Sequence, residues 1–337
     1  MNWISQHSEW LFGGVGIFIG FVGVILWRRT AIRRVKQETV SELPTAIGNF
    51  QAQQQFIRDN AAFLREYPNL HALLEKIFLR TLSFPEQGAS DAESDIEREN
   101  IELTQLSVFY LGRIAADDFG ELLILAGNGK GVGAYKILRG MYERIVTAAF
   151  LAKNPSEARI FVEHSAYQRG QIWNRLVEIM PEMAKRYPPE KIQQMLQEYE
   201  DAKAKLKATT CSKCGQPISQ EAWTRRALDT MAEKTDMNFK AAYLYCYLIP
   251  TFHSHATAFG IDARLYETES GAMAFKETTE SDARQAVLYA HGMILRLVAL
   301  EDQFFGLGLG DEIARRTEAF QRIWDTSADP QPAPPKL

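Results

Sequence analysis

The sequence predicts an all-α protein, a single N-terminal transmembrane helix followed by a cytoplasmic helical bundle. Three observations predict it. Trp10 to Trp27 form an eighteen-residue run without a charge, and the segments beyond residue 68 repeat apolar residues at i, i+3, i+4 and i+7. Strand-like alternation bounded by turn residues is almost absent. At 337 residues, 46% apolar and 24% charged, the chain can bury a sizeable core. A net charge of −4 excludes a molecule-wide basic field, so any nucleic-acid binding must be local. Three cysteines, Cys211, Cys214 and Cys246, are too few and too unevenly spaced for a secreted disulfide framework, which fits a reducing compartment.

Residues 1–9 read as a short extracytoplasmic N-terminus and residues 10–27 as the span, which at 1.5 Å per residue covers about 27 Å of hydrocarbon. Trp3, Trp10 and Trp27 lie where indoles favour the headgroup region. No Lys or Arg precedes the span, whereas Arg28, Arg29, Arg33, Arg34 and Lys36 follow it. The positive-inside rule then puts the N-terminus outside the inner membrane and the C-terminal domain in the cytoplasm. A cleaved signal would need a basic start and a small-residue cleavage site, and the sequence offers neither. Membrane lipid is therefore the first expected partner, met through residues 10–36, with each cation worth about 1 kcal/mol against anionic headgroups. Gly16 and Gly20 form a GxxxG pair that suits a homodimer, although glycine is common in membrane helices generally.

Residues 28–67 are polar, are interrupted at Pro44 and include QAQQQ, which predicts a juxtamembrane helical stalk. Residues 68–325 form the predicted bundle, with apolar-periodic segments at 69–83, 100–126, 134–153, 156–181, 188–207, 219–234, 238–259 and 281–309. The connections carry Gly, Pro and acidic residues, IDARLYETESGA among them. Residues 326–337, QPAPPKL included, predict a disordered Pro-rich tail.

GNGKG, at 127–131, invites comparison with a phosphate-binding loop. Such a loop needs GxxxxGK[ST] after a buried strand, but Gly131 follows Lys130 and DDFGELLILA before it has a helical pattern. The loop therefore reads as a helix–helix turn. On the following helix, Leu138, Met141, Tyr142, Ile145, Val146 and Ala149 share one apolar arc, with Arg139 at its margin and Glu143 one turn on. A guanidinium facing the core needs a partner, so the pair is either a buried ion pair that fixes packing or part of a ligand site.

RGMYE (139–143), the aromatic Tyr167, Trp223 and YCYLIPTFHSHAT (245–257) resemble a bacterial family of helical proteins known only as a domain of unknown function. The likeness covers roughly residues 100–265, with Arg139, Glu143, Trp223 and His255 at the matching positions. The inserted CSKC loop departs from that pattern. The family is similar in turn to HEPN-type helical bundles, which include ribonucleases and binding modules. The resemblance implies a helical bundle. HEPN ribonucleases carry an Arg followed a few residues later by His, and RIFVEH (Arg159 to His164) has the nearest form here. REYPNLH (Arg65 to His71) and RQAVLYAH (Arg284 to His291) also fit, though composition alone produces such hits. An Arg159–His164 pair could supply charge stabilisation and acid–base chemistry on a phosphodiester. His291 lies on an apolar stripe with Val287, Ile294 and Val298 and reads as a core histidine.

CSKCGQP presents Cys211 and Cys214 as half of a zinc site, which needs four ligands and lacks a second CxxC. Cys246 and one of His253 and His255, or the same cysteines of a second chain, would complete it. Pro250 predicts a kink beside Tyr243, Tyr247 and His255. Arg139, Glu143, Trp223, Tyr243, Tyr247 and His255 are thus expected either to line a shared cleft or to be ordinary structural residues. The functional expectation is a membrane-anchored binding module for a protein or RNA partner. A metal-independent HEPN-like ribonuclease and a zinc-stabilised regulator are the alternatives.

Overall fold

The computed structural model describes residues 50–82, 94–207, 223–224, 226–235, 237–267, 273–275 and 280–324. The run 10–27, the cationic residues after it, the CSKC loop and the tail 326–337 lie outside them. Among the described residues no helix is long and apolar enough to cross a membrane.

In chain order the helices are α1 Phe50–Asp59, α2 Ala61–Leu82, α3 Asp95–Gly127, α4 Gly131–Lys153, α5 Ala158–Ile179, α6 Pro181–Ala184 and α7 Pro189–Lys207. There follow α8 Leu228–Glu233, α9 Phe239–Tyr243, a π-helical turn Leu244–Leu248, α10 Ile249–Ser254, α11 Ala258–Asp262, α12 Glu280–Phe305 and α13 Gly310–Trp324. A two-stranded antiparallel hairpin, β1 Leu265–Glu267 with β2 Met273–Phe275, sits where the sequence predicted only a connection. Three-residue strands are too short to show alternation. The chain remains mostly helical, as predicted.

The core lies where α3, α4 and α12 pack on one another. Ser94 opens α3 by accepting a hydrogen bond from Glu97 N at 3.2 Å, and Asp95 and Glu97 favour the positive end of the helix. The α3–α4 connection is a helix–helix turn, as the sequence indicated. Gly129 takes the left-handed φ of 72° that closes it, with Gly129 N bonded to Ala126 O. A Cβ on Gly131 would come within 2.5 Å of Ala283 N, so this glycine allows α4 to start against α12. Turn geometry and close packing account for both.

The expected stalk boundary at residue 67 does not hold. Asn60 and Phe63 are buried, and Phe63 joins Leu70, Leu73 and Ile77 as one stripe of α2 in the core. Helix α2 continues through Pro68, because that burial outweighs one lost backbone bond. Ion pairs Arg316–Glu66 and Lys76–Glu312, the latter at 2.5 Å, tie α2 to α13. Helices α5 and α7 form an antiparallel pair that touches the rest mainly through α3, and Gly170 lets α7 approach at Tyr199.

Candidate functional site

Helix α4 and the α9–α10 segment hold a polar cluster centred on Arg139. Tyr142, fully buried, donates its hydroxyl to Phe239 O at 3.0 Å and so fixes α4 against the start of α9. Its ring lies 6.3 Å from Tyr243 and 6.0 Å from Tyr247, and those two stack on each other at 5.3 Å. Burial raises the phenol pKa values of Tyr142 and Tyr243, which keeps both neutral.

The expected kink takes the form of a wide turn. Pro250 has no N–H, and the preceding π-helical turn closes with Ile249 N bonded to Leu244 O. Thr251 then donates its hydroxyl to Tyr247 O at 2.6 Å and accepts a bond from Arg139 Nε at 3.0 Å. Arg139 Nη2 reaches the Tyr247 hydroxyl at 3.4 Å, and the guanidinium carbon sits 5.0 Å from the centroid of that ring. Glu143 stands 3.9 Å away with half of its side chain exposed, while 27% of the Arg139 side chain remains accessible. Of the two readings of this pair, the buried ion pair does not describe it, since the contact is a loose surface one. Threonine and tyrosine do most of the holding.

Of the predicted set, Arg139, Glu143, Tyr243 and Tyr247 come together. Trp223 does not join them. It packs between Phe150 and Phe161, at 6.1 Å and 5.1 Å, and Phe150 lies three turns, about 16 Å, along α4 from Arg139. His255 is an exposed residue just past α10, whereas its neighbour His253 is half-buried and stacked on Tyr135 at 6.2 Å. Burial chiefly lowers the His253 pKa, with Arg264 and Lys136 adding to it and Asp282 opposing. The sequence missed Thr251, although Tyr243, Tyr247 and Thr251 recur every fourth residue and so share a helix face.

The two residues of the ribonuclease reading each have other neighbours. Arg159 Nη2 is engaged by Glu99, and His164 is 3% exposed with its ring 5.5 Å from Tyr167. Five residues apart on α5, their side chains leave the helix about 140° apart. His71 is exposed beside Glu75, and His291 is wholly buried, as its apolar stripe indicated.

Cys211 and Cys214 lie outside the described residues. Cys246 is 1% exposed, and burial pushes its thiol up to about 12. Among the described residues no three His, Cys, Asp or Glu side chains are grouped to hold a metal ion.

Neither the curated proteins nor the solved structures contain a match to the chain. Residues 113–273 match the model of a family of unknown function (DUF5677). The stretch that carries Arg139, Glu143, Tyr243, Tyr247 and Thr251 is therefore similar to that family.

Proposed function

We propose that this protein is a membrane-anchored helical binding module that recognises an anionic group of its partner through Arg139. The carrying observation is the state of that guanidinium. Its inner edge is held by Thr251 and Tyr247, and its outer part stays accessible with only a loose carboxylate nearby. A planar, pre-oriented guanidinium is suited to bidentate capture of a carboxylate or phosphate. The cluster has Tyr142 and Tyr243 held neutral by burial, together with Tyr247, Thr251 and Arg139. Among the described residues of the cluster no nucleophile is paired with a base, which favours binding over catalysis.

The anchor reading rests on the uncharged run Trp10–Trp27, its flanking tryptophans and the cations after it. Fractionation of cells should recover the full-length chain with membranes, and protease added outside intact cells should leave the C-terminal domain undigested. Digestion would reverse the orientation.

Crosslinking in native membranes, followed by capture of the full-length chain, tests the site itself. A partner recovered with wild type and lost with Arg139→Gln, at equal helicity, supports the reading. The same partners at the same yield with both proteins would remove it.

The HEPN-like ribonuclease reading is disfavoured by the burial of His164 and the Glu99 contact of Arg159. Metal-independent cleavage of single-stranded RNA that disappears in His164→Ala would restore it. The zinc reading rests on Cys211 and Cys214 alone, and equal zinc content in wild type and Cys211→Ser would end it.

A further inference from the structure

We propose that the cleft between α2, α3 and α12 binds an alkylammonium group, with the Glu301 carboxylate as its counter-ion. Glu301 is 6% exposed, and its carboxyl lines the base of this cleft. Among the described residues no hydrogen-bond donor reaches that carboxyl, a costly condition for a buried acid. Gly112 makes room for it. A Cβ there would overlap Oε1 of Glu301.

The chemistry of the lining selects the ligand. Leu74, Phe78, Phe109 and Ala116 give apolar walls, and the two phenyl rings stack at 5.9 Å with 16° between their planes. The Phe78 face already carries one cation, the Arg113 guanidinium, 4.6 Å from the ring centroid. Arg113, which lines the cleft, is itself paired at 3.5 Å with Asp117, which does not, so that ion pair and an ionised Glu301 together sum to one unit negative. A single positive charge neutralises the set.

A metal ion fits poorly, because Ca²⁺ or Mg²⁺ needs about six oxygens and the side chains of this lining offer one carboxyl and the Thr81 hydroxyl, beside a guanidinium that would repel a cation of charge two. An anion would meet the carboxylate head-on. The free volume at the base is about 20 Å³, room for one water-sized group, so it takes the ammonium end while the alkyl chain lies along the half-open apolar walls. This site shares no residue with the Arg139 cluster and does not depend on it.

Isothermal titration of the full-length chain above pH 8, where Glu301 is ionised, with n-butylammonium chloride and with n-butanol as the uncharged comparator, tests the assignment. Saturable one-to-one binding in the millimolar range is expected for the amine and none for the alcohol. Glu301→Gln, nearly isosteric, should weaken binding at least tenfold. Arg113→Gln, which removes the competing cation, should strengthen it severalfold, and this second arm decides the matter if the Glu301 variant loses helicity. No saturable binding would reduce the cleft to a hydrated packing defect. Equal binding of butanol, or binding unchanged in both variants, would equally overturn the proposal.

Discussion

The indole of Trp324, the last described residue of α13, donates a 3.1 Å hydrogen bond to Nδ1 of His291 on α12. With Nδ1 accepting, the proton of the neutral ring sits on Nε2, which faces no acceptor among the described residues. The imidazole instead lies edge-on to Phe63 at 5.2 Å and Phe320 at 5.0 Å. Trp324→Phe keeps an aromatic ring but leaves Nδ1 without its donor. Urea unfolding should show a loss of about 1–3 kcal/mol, and an unchanged midpoint would mean the bond contributes nothing.

Two buried groups give opposite pH slopes. Burial lowers His291 from 6.5 to about 4, so the unfolded chain binds more protons in that interval. Its contribution is complete above pH 6.5 and is lost as pH falls toward 4. Burial raises Glu301 from 4.5 to about 8, against the pull of Arg113, so the folded chain binds more protons there. Its contribution is complete below pH 4.5 and is lost as pH rises toward 8. Between 4.5 and 6.5 the slopes oppose, and above 6.5 only the Glu301 decline remains. Unfolding free energy should fall across that upper window in wild type and stay flat in Glu301→Gln.

Gly131 and Gly120 form an internal comparison. Alanine at Gly131 would press a carbon on the backbone of Ala283, while at Gly120 nothing lies within 4 Å. Thermal unfolding of Gly131→Ala should reveal a loss of about 1–3 kcal/mol. Gly120→Ala should gain about 0.5–1 kcal/mol from helix propensity.

Gly112→Ala should likewise destabilise by about 1–3 kcal/mol, since the new methyl group overlaps the Glu301 carboxyl. Combining it with Glu301→Ala relieves the overlap. A double-mutant cycle should therefore return a coupling above about 0.5 kcal/mol, and strict additivity would show that the two side chains do not meet.

Thr251→Val removes the hydroxyl that joins Arg139 to the carbonyl of Tyr247. A stability cost of about 0.5–1.5 kcal/mol is expected. Partner capture should fall as well, because the guanidinium loses its orientation. Capture at wild-type yield would separate Thr251 from recognition.

The long helices were legible because their apolar period runs unbroken. The segments 134–153 and 188–207 correspond to α4 Gly131–Lys153 and α7 Pro189–Lys207. The sequence misled where a local signal met tertiary packing. Pro68 reads as a stop, yet Phe63 and Leu70 on either side of it are both fully buried. Leu307 and Leu309 extend the apolar pattern past Phe305, but Gly306 and Gly308 take φ of 61° and 68° and turn the chain into α13. At the candidate site, Arg139 and Tyr247 could be anticipated from helix faces. Trp223 could not, since its ring is placed by contacts with Phe150 of α4 and Phe161 of α5, which are distant in sequence.

The widened turn at Leu244–Leu248 holds one residue more than a regular helical turn would. The rotational phase of everything downstream is set by that surplus. Excising a single residue there would swing Thr251 and His253 about 100° around the axis, carrying them off Arg139 and Tyr135 without changing one side chain of α4. The grip on the guanidinium is thus a matter of counting along the backbone as much as of chemistry at its contacts.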